Sequence, residues 1–136
     1  ENPFIKYKNK IILELEDDFE ITEIFNSKII SNDRDKDLII SVYDIDFLVT
    51  CKYRPKANIR FNDVERTAAN SKLLKIQGVI VTNVGYGKKA INNAKKYNII
   101  LTQDFNIKHK LKLYVDKIVE KRMLDILEDI EKEENI

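Results

Sequence analysis

An α/β sandwich built around a mixed sheet is the fold class that the sequence predicts, and three observations predict it. Helical-period and strand-type apolar patterns follow one another in the order helix, three strands, helix, strand, helix, strand, helix. The later strands are separated by single short helical crossovers, the connection that parallel pairing requires. Three glycines, two prolines and no Ser/Gly/Pro-rich stretch leave nowhere to divide the 136 residues. The expectation is one domain over 1–136, with a core over about 4–105 and an amphipathic C-terminal helix over about 110–132.

Each element has a local reason. After Pro3, the residues Phe4, Tyr7, Ile11, Ile12 and Leu15 recur at helical intervals, predicting a helix over 4–17. From Phe19 the pattern turns strand-like through Ile21, Ile24-Phe25 and Ile29-Ile30, with a break at Asn26-Ser27; the polar run from Ser31 to Lys36 reads as a turn. Two apolar runs, Leu38 to Tyr43 and Phe47 to Cys51, are joined by Asp44-Ile45-Asp46 as a hairpin. Pro55 and Asn58 mark the exit from it, and a helix over 61–74 follows with Asn62 or Asp63 as its cap. Gly78 reads as a break before the buried-type strand Val79-Ile80-Val81-Thr82. Gly85-Tyr86-Gly87 is a turn, 88–97 a helix with Ala90 and Ala94 at close-packing spacing, and Ile99-Ile100-Leu101-Thr102 the last strand. In the final helix Leu111, Val115, Ile118, Val119, Met123, Ile126, Leu127 and Ile130 form one stripe, expected to cover the sheet or, failing that, to pair with a partner helix.

Composition narrows the function. The net charge of +1 supplies no global field, so any basic site must be local. One cysteine, Cys51, and one histidine, His109, exclude a disulfide framework and the common zinc clusters, so a metal here would need oxygen ligands. No apolar run approaches the ~18–20 residues of a spanning helix, and the N-terminus lacks the order of a signal peptide. The expectation is an intracellular protein with no membrane partner, with a homodimer or a flanking domain left open.

The stretch richest in chemistry runs from Asp35 to Arg54. Asp37 opens one strand, while Thr50 and Lys52 lie two apart on the next and share a face, so adjacent strands bring Asp37 near that pair. A carboxylate, a lysine and a second oxygen ligand are what magnesium-dependent phosphodiester hydrolysis requires. Basic residues cluster nearby: Arg54, Lys56 and Arg60 after the third strand, then Lys88 and Lys89, spaced to meet a nucleic-acid backbone, with Tyr53 and Tyr86 as stacking candidates. Each has a plainer reading: Asp37 as a turn residue, Thr50 as a strand former, Glu65 as a solvated helix residue, the lysines as solvated surface.

Asp37-Leu38-Ile39-Ile40, followed by Val49-Thr50-Cys51-Lys52-Tyr53-Arg54, resembles the Asp…(Glu/Gln)-x-Lys core of the restriction-endonuclease-like superfamily, in its Mrr-like branch. The similarity continues through Gly78-Val79-Ile80-Val81-Thr82-Asn83, Tyr86, Ala90, Ala94 and Asn98-Ile99-Ile100-Leu101, covering most of 7–104; the long C-terminal helix lies outside it. The resemblance implies an αβββαβ core and a magnesium- or manganese-dependent endonuclease acting on DNA. In that reading Asp37 holds the metal, the Cys51 carbonyl and Glu65 complete its shell, and Lys52 positions the attacking water. Thr50 stands where the family has Glu or Gln, and Glu65 resembles the acid that some members carry on the following helix instead. The alternative is the same fold retained without catalysis, as a nucleic-acid-binding or assembly module.

Overall fold

The computed structural model describes residues 2–24 and 34–135. Helix α1, Pro3–Leu15, starts where Asn2 accepts hydrogen bonds from the backbone N–H groups of Phe4 (2.9 Å) and Ile5 (3.3 Å), with Pro3 supplying a first helical position that needs no donor. Tyr7, Ile11 and Leu15 follow at one-turn intervals and are its buried face. The strands are β1 (Glu20–Glu23), β2 (Asp35–Val42), β3 (Ile45–Lys52), β4 (Gln77–Thr82) and β5 (Ile100–Gln103). They lie side by side in chain order, β1 to β3 antiparallel and β3 to β5 parallel. The parallel steps are bridged by α2 (Phe61–Leu74) and α3 (Lys88–Tyr97), and α4 (Ile107–Glu134) ends the chain.

Period two along the strands divides the molecule. Leu38, Ile40, Phe47, Val49, Cys51, Val79 and Val81 face α1 and the first turns of α4, where Ile11, Leu15, Leu111 and Val115 close a wholly apolar core. The opposite face is covered by α2 and α3 through Ile59, Val64, Ile80, Ala90, Ala94 and Ile99. Connections of one hand put both crossover helices on the same side, so the C-terminal ends of β3 and β4 meet the N-terminal ends of α2 and α3 along one edge.

Several sequence expectations shift in the structure. Asp35 and Lys36 belong to β2 and not to a turn, because they continue the ladder onto Lys52 and Cys51. The hairpin turn is the two residues Tyr43 and Asp44, both at positive φ (50° and 64°), a geometry that matches the twist of the strands; Ile45 is thereby released into β3 opposite Val42. β1 ends at Glu23, and the expectations for Phe25 and Ile29-Ile30 fall outside the described residues. Helix α2 is capped from within: Asp63 reaches back to accept the backbone N–H of Arg60 at 3.1 Å. The C-terminal helix begins three residues before 110, and its apolar stripe is covered only in its first half: Val119, Met123, Ile126, Leu127 and Ile130 are exposed.

Gly78 is no break; it lies inside β4. A Cβ there would stand 2.8 Å from Ile99 Cδ1 and 3.1 Å from Ser71 Cβ, so α2 and the residue before β5 pack closely on the strand at this glycine and a larger side chain must displace them. Gly78→Ala should therefore lower unfolding free energy by about 1–3 kcal/mol, the usual cost of overpacking, measurable as a shifted denaturant midpoint at unchanged slope.

Candidate functional site: a buried charge cluster

Beneath the first half of α2 the apolar pattern of the sheet gives way to charge. The hairpin register sets Asp35 opposite Lys52 and Asp37 opposite Thr50, all four on the face that α2 covers. Asp63, Thr67 and Asn70 recur at helical spacing along the facing side of α2, and Thr67 and Asn70 are buried there.

Lys52 is 0% exposed. Its ammonium donates to Asp35 Oδ2 at 2.7 Å and lies 3.8 Å from Asp63 Oδ1. Arg54, two residues on, bridges the same two carboxylates, with Nη2 3.0 Å from Asp35 and 3.2 Å from Asp63. Its Nη1 donates to the Tyr53 carbonyl at 2.9 Å. Arg66 approaches Asp35 at 3.8 Å from the rim. Burial pushes Asp63 upward, but the Arg60 N–H, Lys52 and Arg54 together outweigh it and hold its carboxyl below the ordinary carboxylate range.

Asp37 sits in a different setting. Thr67 donates its hydroxyl to Thr50 at 3.2 Å, and Thr50 donates in turn to Asp37 at 2.8 Å. Burial raises the Asp37 carboxyl above its ordinary value, and the Thr50 hydrogen bond and the charge of Lys52 offset this only in part. The edge itself is pinned by side chains of the β4 end: Thr82 donates to the Lys52 carbonyl at 2.7 Å, while Asn83 accepts the Arg54 N–H at 2.8 Å and returns a bond to its carbonyl at 2.7 Å. Tyr86 OH donates to the Thr102 carbonyl at 2.6 Å. Tyr86 is thus a structural strut between strands.

The structure brings Asp37, Thr50 and Lys52 onto one face but changes the pairing: the partner of Lys52 is Asp35. Glu65 is not brought there at all. Two residues after Asp63, it lies on the far side of α2, where its carboxylate accepts from Asn93 of α3 at 3.3 Å. Cys51 points to the other sheet face among the α1 and α4 residues, and burial pushes its thiol far up, so it is no nucleophile. Glu65, expected to complete a metal shell with Asp37 and the Cys51 carbonyl, is engaged by α3 instead. Among the described residues no group of three or more His, Cys, Asp or Glu side chains is arranged to hold a metal ion.

Asp35, Asp63 and Arg66 are the site residues that the sequence reading missed. The signal for Asp35 was present: a residue two before Asp37 shares its face, and a hairpin that sets Asp37 opposite Thr50 must set Asp35 opposite Lys52. Of the basic residues, Arg54 is sequestered in the cluster, whereas Lys56, Arg60, Lys88 and Lys89 are exposed on the adjoining edge. Arg60, Lys88 and Lys89 line a cavity of about 390 Å³ between the N-termini of α2 and α3, beside Phe61, which is 45% exposed. A neighbouring recess of about 330 Å³ is lined by Arg34, Arg54 and Arg60 together with Asp63, Ala57, Asn58 and Asn62.

No family model matches the sequence, and no curated protein matches it significantly. Among solved structures the chain is similar to the crystal structure of AF1548, described as a protein of unknown function, with 19% identity and a TM-score of 0.55 over 74% of this chain. The match spans 56% of that protein. At such identity the likeness concerns the fold: a mixed five-stranded sheet flanked by helices. No helix of the described residues is long and apolar enough to cross a membrane.

Two predictions follow from the cluster's electrostatics. Removing one partner strands the other charge, so Asp35→Leu should destabilise by about 3–5 kcal/mol, while the Asp35→Leu/Lys52→Met pair, which removes both charges, should recover most of that loss in chemical unfolding. Asp37 and Asp63 oppose one another in pH. For Asp37, whose folded pKa is raised, stability is complete below the unfolded value of about 3.9 and falls as pH rises through the folded pKa; for Asp63, whose folded pKa is lowered, stability is present above about 3.9 and falls as pH drops through the folded pKa. Asp37→Asn should thus be more stable than wild type at neutral pH, the gap closing in acid, as read from thermal unfolding across pH.

Proposed function

We propose that this chain is a restriction-endonuclease-like domain that has exchanged phosphodiester hydrolysis for a structural charge cluster and binds DNA along the basic edge beside it. The observation that carries the reading is the state of Lys52: without solvent exposure, 2.7 Å from Asp35 and 3.8 Å from Asp63, it has no access to a water it would have to position. The αβββαβ order of α1 through β4 and the sequence similarity from Asp37 to Arg54 support the family assignment.

Metal-assisted hydrolysis needs carboxylate oxygens converging on an open position, an ion to polarise the phosphate, and a base or lysine touching the nucleophile. The residues present do not fit that requirement. Arg54 spans Asp35 and Asp63 where a divalent ion would otherwise join two carboxylates, and so serves as the cation of the site. Thr50 presents its hydroxyl proton, not a lone pair, to Asp37. The charges of Lys52, Arg54, Asp35 and Asp63 are paired with one another within the protein.

DNA affinity is supported by what lies outside the cluster. Arg60, Lys88 and Lys89 stand at the N-termini of two helices of fourteen and ten residues, whose dipoles favour phosphate, and Lys56 is exposed four residues before Arg60. Phe61, half exposed at the same cavity, offers a ring against which a base can stack. Contacts of this type provide backbone affinity without sequence choice.

The expected result is that supercoiled plasmid and labelled single strands stay intact with magnesium or manganese, while DNA binds with affinity that falls steeply with salt. Lys56→Ala, Arg60→Ala and Lys88→Ala should each weaken binding to all sequences alike and lower the salt slope by about 1. Metal-dependent cleavage abolished by Asp37→Asn would overturn the non-catalytic reading. Failure to bind DNA at low salt would overturn the other half.

A further inference from the structure

Helix α4 is longer than its packing requires. Ile107, Leu111 and Val115 are buried and Ile118 is partly covered, but beyond them no residue of α4 is buried. The stretch from 119 to 134 contains no Gly or Pro and extends roughly 24 Å at the helical rise. Along it Val119, Met123, Ile126 and Ile130 recur at intervals of four, three and four residues, the seam of a two-stranded coiled coil, flanked by Leu127. Met123 and Ile126 are each 59% exposed in the single chain.

The charges along α4 are segregated. Lys108, Lys110, Lys112, Lys117, Lys121 and Arg122 dominate its first part, with Asp116 and Glu120 the acids there. Past Met123 the balance inverts: Asp125, Glu128, Asp129, Glu131, Glu133 and Glu134 stand against Lys132 alone. Lys121 with Asp125 and Glu128 with Lys132 pair at one-turn spacing, but Glu131, Glu133 and Glu134 have no basic residue three or four positions away, and acids at a helix C-terminus oppose the macrodipole. A second helix running the other way would reward their placement, laying its basic part against the acidic tip.

We infer that the distal half of α4 is a self-association surface on which a second copy of this chain lies antiparallel. In the register that pairs Val119 with Ile130 and Met123 with Ile126 of the other copy, the seam is filled without a gap, and the two-fold axis places Arg122 beside Asp129 twice. A parallel pair would instead set Asp129 beside Glu134, like against like. Two helices of this length bury on the order of 1,000–1,200 Å², the low end for a specific interface, so the dimer is concentration-dependent. The inference is independent of the DNA-binding reading, because α4 packs on the opposite sheet face from α2 and α3.

Sedimentation equilibrium of the full chain tests it directly. Across about 1–200 μM the mass should rise from the 16.0 kDa monomer toward twice that value. Ile126→Glu, at a position exposed in the single chain, should keep the circular dichroism spectrum and raise the dissociation constant at least about tenfold. Arg122→Glu should also weaken the dimer, and adding Asp129→Arg should restore it. A chain that stays monomeric throughout, or a dimer untouched by Ile126→Glu, overturns the proposal. A dimer indifferent to the Arg122 and Asp129 reversals overturns the antiparallel arrangement.

Discussion

A lysine ammonium removed from water must be neutralised inside the fold, and the burial of Lys52 is the constraint on which the surrounding structure depends. Desolvating each ion costs several kcal/mol, recovered only with close partners and satisfied hydrogen bonds. The two carboxylates come from separate places in the chain, Asp35 from β2 and Asp63 from α2, and Arg54, just past β3, pairs with both of them. The ammonium therefore ties the start of one strand to the end of the next and to the first turn of a helix. A one-residue slip of the hairpin would drive Asp35 and Asp37 into the apolar core against α1 and α4. Charge here specifies register more than it adds stability.

The same constraint explains which parts of the fold were legible in the sequence. The helices over 61–74 and 88–97 were legible because turn residues precede each, Pro55 and Asn58 before the first and Gly85 and Gly87 before the second; the structure ends them at Lys75 and Asn98, both in left-handed conformation. Asp35 was not, because its polar neighbours favour a turn and only pairing with β3 makes it a strand residue. Asp63 looked like the N-cap residue of α2, but Arg60 holds that position; from the third helical position the Asp63 carboxylate accepts the Arg60 N–H and also meets Arg54 and Lys52. Local pattern reveals the first role; the second needs the three-dimensional register.

At the site, the spacing of acids and lysine was visible while their pairing was not. Asp37 and Lys52 do share a face, but two residues of offset hand the lysine to Asp35 and leave Asp37 to a threonine. Glu65 and Asp63 differ by two positions on α2, which is more than half a turn of rotation, so one reaches the cluster and the other reaches α3. A motif states which residue types are available. Hydrogen-bond geometry decides whether they form an open coordination site or a closed network, and the second pattern is what these residues form.

Two populations of charge then act on different scales. The buried cluster is shielded from salt and fixes the architecture, whereas the exposed charges are segregated along the chain and create local fields that a net charge of +1 conceals. Basic residues gather where α2 and α3 begin, and acidic ones at the tip of α4. In a single chain that tip counterbalances the basic edge in the overall sum. Antiparallel association would neutralise it against the basic half of the partner's helix, leaving the edges beside the two clusters as the dominant unbalanced field. Dimerisation would thus make a near-neutral protein locally more attractive to a polyanion without changing a residue at the edge itself.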